Sequence, residues 1–275
     1  MNVLKVFFSR MFVRFFEDDV AGRAAQLAYF FLLSLFPFII FLLTLVGFIP
    51  VTVENVLSLV RSFAPGETMS LIEENVYQLM DNKNGQLLSI GLIGTLFAAS
   101  NGINALIRVV NRSYEIKESR SFIIARLIAI ILTIAMFLVI IVALLLPVFG
   151  KVIGLYVFSF FGFSEEFLRV WGMMRWFISF LVMMIIFVFL FKLAPEKKVS
   201  LREALPGAIF ATVGWQAVSI LFAFYVENFG HFTATYGGLG AVIVLMIWLY
   251  LSAMIIITGG EINAILYRMK KDKVF

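Results

Sequence analysis

The chain has 275 residues, 62% of them hydrophobic and 14% charged, with a formal net charge of +5. A soluble domain carries roughly 25% charged residues, so this composition excludes a water-soluble globular protein and points to the bilayer as solvent. The absence of cysteine excludes disulfides, thiolate nucleophiles and iron–sulfur sites, and the single histidine, His231, excludes metal schemes built on two imidazoles.

Residues 1–23 place Leu4, Phe7, Phe8, Met11, Phe12, Phe15 and Phe16 at three-to-four-residue spacing, interrupted by Lys5, Arg10 and Arg14. That period predicts an N-terminal amphipathic helix, either in the headgroup plane or packed on the protein. A first membrane span is expected over 24–48. Pro37 inside it predicts a kink, with Ser34 placed to re-satisfy the carbonyls that the proline frees. Residues 51–85 are polar enough to leave the membrane yet periodic, and Ser70-x-x-Glu73 has the form of a capping box. They predict an extracytoplasmic helical hairpin, closed by Asp81-Asn82-Lys83-Asn84-Gly85.

The second span, 86–107, sets Gly91, Gly94, Ala98, Asn101 and Arg108 on one stripe, with Asn104 beside it. Such a stripe serves either as a packing seam or as a solute path. The third and fourth spans fall at 123–149 and 173–193. Ser200-x-x-Glu203 then reads as a capping box opening the fifth, 205–226, where Gly207, Ala211 and Gly214 share a stripe near Gln216. The sixth span, 239–261, opens after Tyr236-Gly237-Gly238 and closes on Gly259-Gly260-Glu261, with Asn263 and a basic tail beyond. The expected fold is all-α: a polytopic membrane protein of six transmembrane helices in a single membrane domain, 1–275.

Lysine and arginine decide the orientation. Seventeen lie on the N-terminal segment, the second-to-third and fourth-to-fifth connections and the tail, against five on the other side. The positive-inside rule therefore puts both termini in the cytoplasm. Insertion topology accounts for the basic charge, so no nucleic-acid partner is expected.

Several strings, in order along nearly the whole chain, resemble the YihY/BrkB family of bacterial inner-membrane proteins. They include Ala24-Ala25-Gln26-Leu27-Ala28-Tyr29-Phe30, Ser34-Leu35-Phe36-Pro37-Phe38, Gly102-Ile103-Asn104-Ala105-Leu106 and Arg202-Glu203-Ala204-Leu205-Pro206-Gly207-Ala208. Tyr236-Gly237-Gly238-Leu239-Gly240 and Gly260-Glu261-Ile262-Asn263-Ala264 complete the pattern. The resemblance implies a six-span inner-membrane protein without settled biochemistry. A serum-resistance association comes with the BrkB name, and a ribonuclease BN label has travelled with the family.

The residues lend that label no support. Metal-assisted RNA cleavage needs carboxylate or histidine clusters on a wet site, and the densest acidic group, Glu17-Asp18-Asp19, reads as a solvated helix end. No Gly-x-Ser-x-Gly or phosphate-binding loop is present, so neither an enzyme nor a cofactor is expected. Depth along the helices favours a lipid-facing role. Asn101 lies roughly 21 Å, Asn104 about 26 Å, and Arg108 and Glu261 about 32 Å from the outer ends of their spans. Gln26, Asn101, Asn104, Arg108, Arg126, Gln216, Glu261 and Asn263 are thus the candidate substrate-binding or gating residues, around a cytoplasm-facing polar cavity in which Glu261 pairs with Arg108 or Arg126. The expected function is transport or flipping of a lipid-like or anionic amphipathic envelope component, with a non-transporting envelope scaffold as the alternative. Membrane lipids, and a second copy of the chain, are the partners this allows.

Overall fold

The computed structural model describes residues 3–46, 57, 85–116, 119–137, 165–229 and 239–272. Among them are seven helices and no strand. They are α1 (Val3–Glu17), α2 (Val20–Val46), α3 (Gly85–Ser113), α4 (Phe122–Phe137), α5 (Glu165–Leu193), α6 (Leu201–Phe229) and α7 (Gly240–Lys271). Helices α2, α3, α6 and α7 contain stretches long and apolar enough to cross a membrane. Helix α4 and the Phe177–Leu193 part of α5 are shorter apolar helices. Each of the six apolar segments of the sequence is helical over its described residues, in an all-helical polytopic membrane protein; residues 47–48 of the first expected span and 138–149 of the third lie outside them. The hairpin expected over 51–85 falls almost wholly outside the described residues, as do His231 and Tyr236-Gly237-Gly238.

The chain forms two compact units, Phe30–Ala99 and, together, Met1–Tyr29 with Ser100–Phe275. In the first, α2 and α3 meet along the small-residue stripe. A Cβ built on Gly91 would lie 2.9 Å from the Phe41 backbone nitrogen, and one on Gly94 would lie 3.2 Å from the Pro37 ring. Real Cβ contacts are essentially never that close at Gly91, so this part of the stripe is a packing seam that requires glycine. Pro37 leaves the Leu33 carbonyl without its intrahelical donor. The Ser34 hydroxyl does not serve it but donates to the Phe31 carbonyl at 2.7 Å, because a hydroxyl at this position reaches back three or four residues along its own helix.

In the second unit the core is the contact of α7 with α6, supported by α5. Gly207 of α6 and Gly259 of α7 bring the two backbones together. A Cβ on Gly259 would lie 2.7 Å from the Gly207 carbonyl oxygen and 2.9 Å from the Phe191 ring, and one on Gly207 would overlap the Gly259 carbonyl. Small residues at such a crossing let packing forces act at short range where lipid supplies no hydrophobic drive between helices. Asn263 secures the contact: its Oδ1 accepts from Gly207 N at 2.7 Å and its Nδ2 donates to the Ala204 carbonyl at 3.1 Å. Farther along, Trp248 Nε1 donates to Ser219 Oγ at 3.2 Å, and its ring meets Trp215 edge-on. The capping box read at Ser200 is present in both directions: Glu203 N donates to Ser200 Oγ (3.3 Å) and Ser200 N to Glu203 Oε2 (2.9 Å).

Overpacking a tight contact costs about 1–3 kcal/mol. Gly259→Ala is therefore expected to lower the melting temperature of the detergent-solubilised protein. Gly214→Ala should cost less, because its Cβ meets the flexible Ile255 side chain at 3.1 Å rather than backbone. Equal, small shifts for the two would place the critical contact elsewhere.

Candidate functional site

The stretch Gly259 to Asn263 faces three helices at once. Gly259 and Asn263 meet α6, while Gly260 lies against Val110 of α3 and Phe191 of α5. Glu261, between them, is completely buried. Its Oε1 accepts a hydrogen bond from the Ser113 hydroxyl, and its Oε2 has no hydrogen-bond partner among the described residues. Ser113 Oγ also lies 3.0 Å from the Val109 carbonyl. A hydroxyl has one proton, so carboxyl and carbonyl compete for it.

The Ser113 carbonyl, in turn, accepts from Arg268 Nη2. From Arg268 a chain of ion pairs links α7 to the ends of α3 and α1. Arg268 Nη1 lies 2.9 Å and Arg14 Nη2 lies 2.6 Å from Glu115 Oε1. Arg14 Nη1 lies 3.3 Å from Asp18 Oδ2, and Arg112 Nε lies 2.9 Å from Asp18 Oδ1. Two residues in the left-handed region shape this end. Asp19, at φ 48°, turns the chain between α1 and α2 and accepts from Gly22 N at 3.2 Å, while Glu115, at φ 58°, ends α3. Arg23 Nε donates to the Asp18 carbonyl at 2.6 Å. An open cavity of about 530 Å³ beside the chain is lined by Arg14, Glu17, Asp18, Arg112, Glu115 and Ile116. Of the acidic run, Glu17 and Asp19 are exposed as a solvated helix end would be, and Asp18 alone departs from that expectation. Asp18 is buried because two arginines converge on it, and Asp19 caps the next helix.

The connections assigned to the cytoplasm join the same end. Ser119 donates through both its amide (2.7 Å) and its hydroxyl to Glu196, whose own amide donates to Asn111 Oδ1 at 2.8 Å. The Ser119 hydroxyl, followed by its amide, holds the Glu196 carboxyl below the usual range. Burial, followed by the nearby Glu203, pushes the Tyr114 phenol above its usual range. The Lys197 ammonium lies over the Tyr267 ring, which neighbours Tyr114.

The residues predicted from sequence fall in different surroundings. Arg126 donates to Asn101 at 2.9 Å, an α4–α3 tie. Asn263 is the α6–α7 tie described above. Gln26 and Arg108 are exposed, and Asn104 and Gln216 are half-buried. The expected pairing of Glu261 with Arg108 or Arg126 is corrected: its partner is Ser113. Arg108 and Ser113 are five residues apart, about 140° around a helix, so when Ser113 faces α7 Arg108 faces away. The residues missed were Arg14, Asp18, Arg112, Ser113, Glu115 and Arg268. Their signal was acids interleaved with the cytoplasmic arginines, which a count of Lys and Arg alone passes over.

A family model described as Virulence factor BrkB matches residues 11–274. The chain belongs to the BrkB family. It is 52% identical over 265 residues to the ribonuclease-like protein YfkH of Bacillus subtilis (strain 168), covering 96% of each chain. A UPF0761 membrane protein of Alteromonas mediterranea is 28% identical over 264 residues, covering 94% of this chain and 86% of the relative. Another, from Pseudoalteromonas translucida, is 28% identical over 263 residues, covering 91% and 82%. No solved structure matches. These relatives agree with an integral membrane protein of the bacterial cell membrane.

Asp18→Asn removes the shared partner of two arginines at a site only 5% exposed, and is expected to destabilise by about 1–3 kcal/mol. Glu115→Gln, at a side chain 65% exposed, is expected to cost under about 1 kcal/mol. Thermal melts of both variants check the order, and a larger loss for Glu115→Gln would contradict it.

Proposed function

We propose that this BrkB-family protein is a transporter or flippase for a lipid-like, anionic amphipathic envelope component, loaded from the cytoplasmic leaflet. One observation carries the reading. A carboxyl group inside an apolar membrane helix, Glu261, is linked through Ser113 and Arg268 to the ion pairs on Glu115. Ionisable groups buried within membrane helices are costly and mark substrate or ion pathways. Glu115 is the exposed acid of the chain, held by Arg14 and Arg268. An incoming anionic headgroup competes with it for those arginines. Capture of Arg268 loosens its hold on the Ser113 carbonyl, so headgroup arrival is felt at Glu261. The ion pairs act as a clasp that the substrate opens.

The word ribonuclease belongs to the Bacillus relative's name, and our reading for this chain is non-catalytic. Among the described residues no group of three or more His, Cys, Asp or Glu is placed to hold a metal ion. The second reading, a non-transporting scaffold, draws on the Gly207–Gly259 contact and the Asn263 tie, which leave no slack between α6 and α7.

Dithionite quenching of a fluorescent phosphatidylglycerol in reconstituted vesicles tests the proposal. The protein is expected to speed exchange between leaflets. Glu261→Gln and Ser113→Ala should slow it by about tenfold, the scale of a coupling free energy of 1–3 kcal/mol. Exchange no faster than in protein-free vesicles would favour the scaffold.

A further inference from the structure

Helix α1 carries two faces of different chemistry. Leu4, Phe8, Phe12 and Phe16 form an exposed stripe, each about two-thirds accessible. At 100° per residue, Arg10 and Arg14 lie on the other side of the helix, with Ser9 and Val13 between the two faces. The arginine side packs along the end of α7 and leaves a crevice of about 310 Å³. Ser9, Arg10, Val13 and Arg14 line one wall, and Ile265, Arg268 and Asp272 the other.

We propose that this crevice is a binding site for the phosphate headgroup of an anionic lipid of the cytoplasmic leaflet. This rests on the transport reading and gives its first contact with substrate a place. Three guanidinium groups and one carboxylate line it; counting Asp18, Glu115 and Arg112, to which Arg14 and Arg268 are linked, four guanidinium groups stand against three carboxylates, so the cluster keeps a positive excess that attracts anions. Arg10 is the group best placed to take one. Among the described residues it spends a single N–H, on Asp272 at 3.0 Å, of the five donors a guanidinium offers. Among the described residues Arg14 and Arg268 each retain Nε, since their Nη atoms hold Asp18, Glu115 and the Ser113 carbonyl. Guanidinium matches phosphate oxygens in forked geometry. The volume exceeds that of a phosphate alone, and the remainder is bounded by Val13 and Ile265, which suit the glycerol and first methylenes of a lipid. The acyl chains would leave past Val13 onto the Phe12 and Phe16 side of α1, the face built to lie in the interface. Free phosphate would use the arginines but not this apolar exit.

The test uses the full-length protein in detergent micelles. Binding of dioctanoyl phosphatidylglycerol, dioctanoyl phosphatidylcholine and inorganic phosphate is measured for the native sequence, Arg10→Gln and Asp272→Asn. Phosphatidylglycerol is expected to bind tighter than phosphatidylcholine. Arg10→Gln should weaken it about fivefold and Asp272→Asn strengthen it about fivefold, the scale of one basic charge at a lipid surface. Both substitutions break the same ion pair, so a merely structural role moves them in the same direction, and that result, or no change in either, would overturn the site. Inorganic phosphate binding as tightly as phosphatidylglycerol would overturn the lipid assignment. If the charge pattern fails while the native protein still exchanges lipid in vesicles, the crevice falls and the transport reading stands. If the pattern holds and no exchange occurs, the transport reading falls and the site stands.

Discussion

The second unit depends on the near-contact of two backbones, Gly207 in α6 and Gly259 in α7. In hydrocarbon, helices gain little by hiding apolar side chains from one another, so close van der Waals approach and shared hydrogen bonds must hold them. Two glycines provide the approach, and the Asn263 amide provides the bonds, on Gly207 N and the Ala204 carbonyl. Fixing α7 against α6 in this rotation turns Gly260 and Glu261 toward α3. The only acidic residue of the apolar part of α7 therefore meets Ser113 and not an arginine.

Glu261 thereby becomes part of a larger electrostatic unit. The ion pairs from Arg268 to Arg112 tie α1, α3 and α7 at the face where the basic residues gather. The guanidinium groups of Arg14, Arg112 and Arg268 are partly exposed, whereas Asp18 is buried. The amphipathic α1 stands at its edge, with Arg10 and Arg14 toward the protein and Phe8, Phe12 and Phe16 away from it.

Much of the architecture was legible in the sequence. Apolar length marked the six segments, the Ser200–Glu203 cap was marked by its residue types, and the glycine stripes were marked by spacing. The site was less legible, for reasons that are geometric. The second span read as ending near residue 107, whereas α3 continues to Ser113, so the partner of Glu261 lay beyond the expected helix. Arg108 stands at the right depth but the wrong angle, which hydropathy does not report. Asp18 looked like a solvated acid because its two arginines come from positions 14 and 112, one of them on a different helix.

The absence of cysteine makes a direct distance measurement available. Spin labels at Lys5→Cys in α1 and Lys271→Cys at the end of α7, read by double electron–electron resonance in lipid nanodiscs, report whether an anionic headgroup opens the clasp. A second, longer distance is predicted in phosphatidylglycerol and its absence in phosphatidylcholine. One unchanged distance in both lipids would contradict the account.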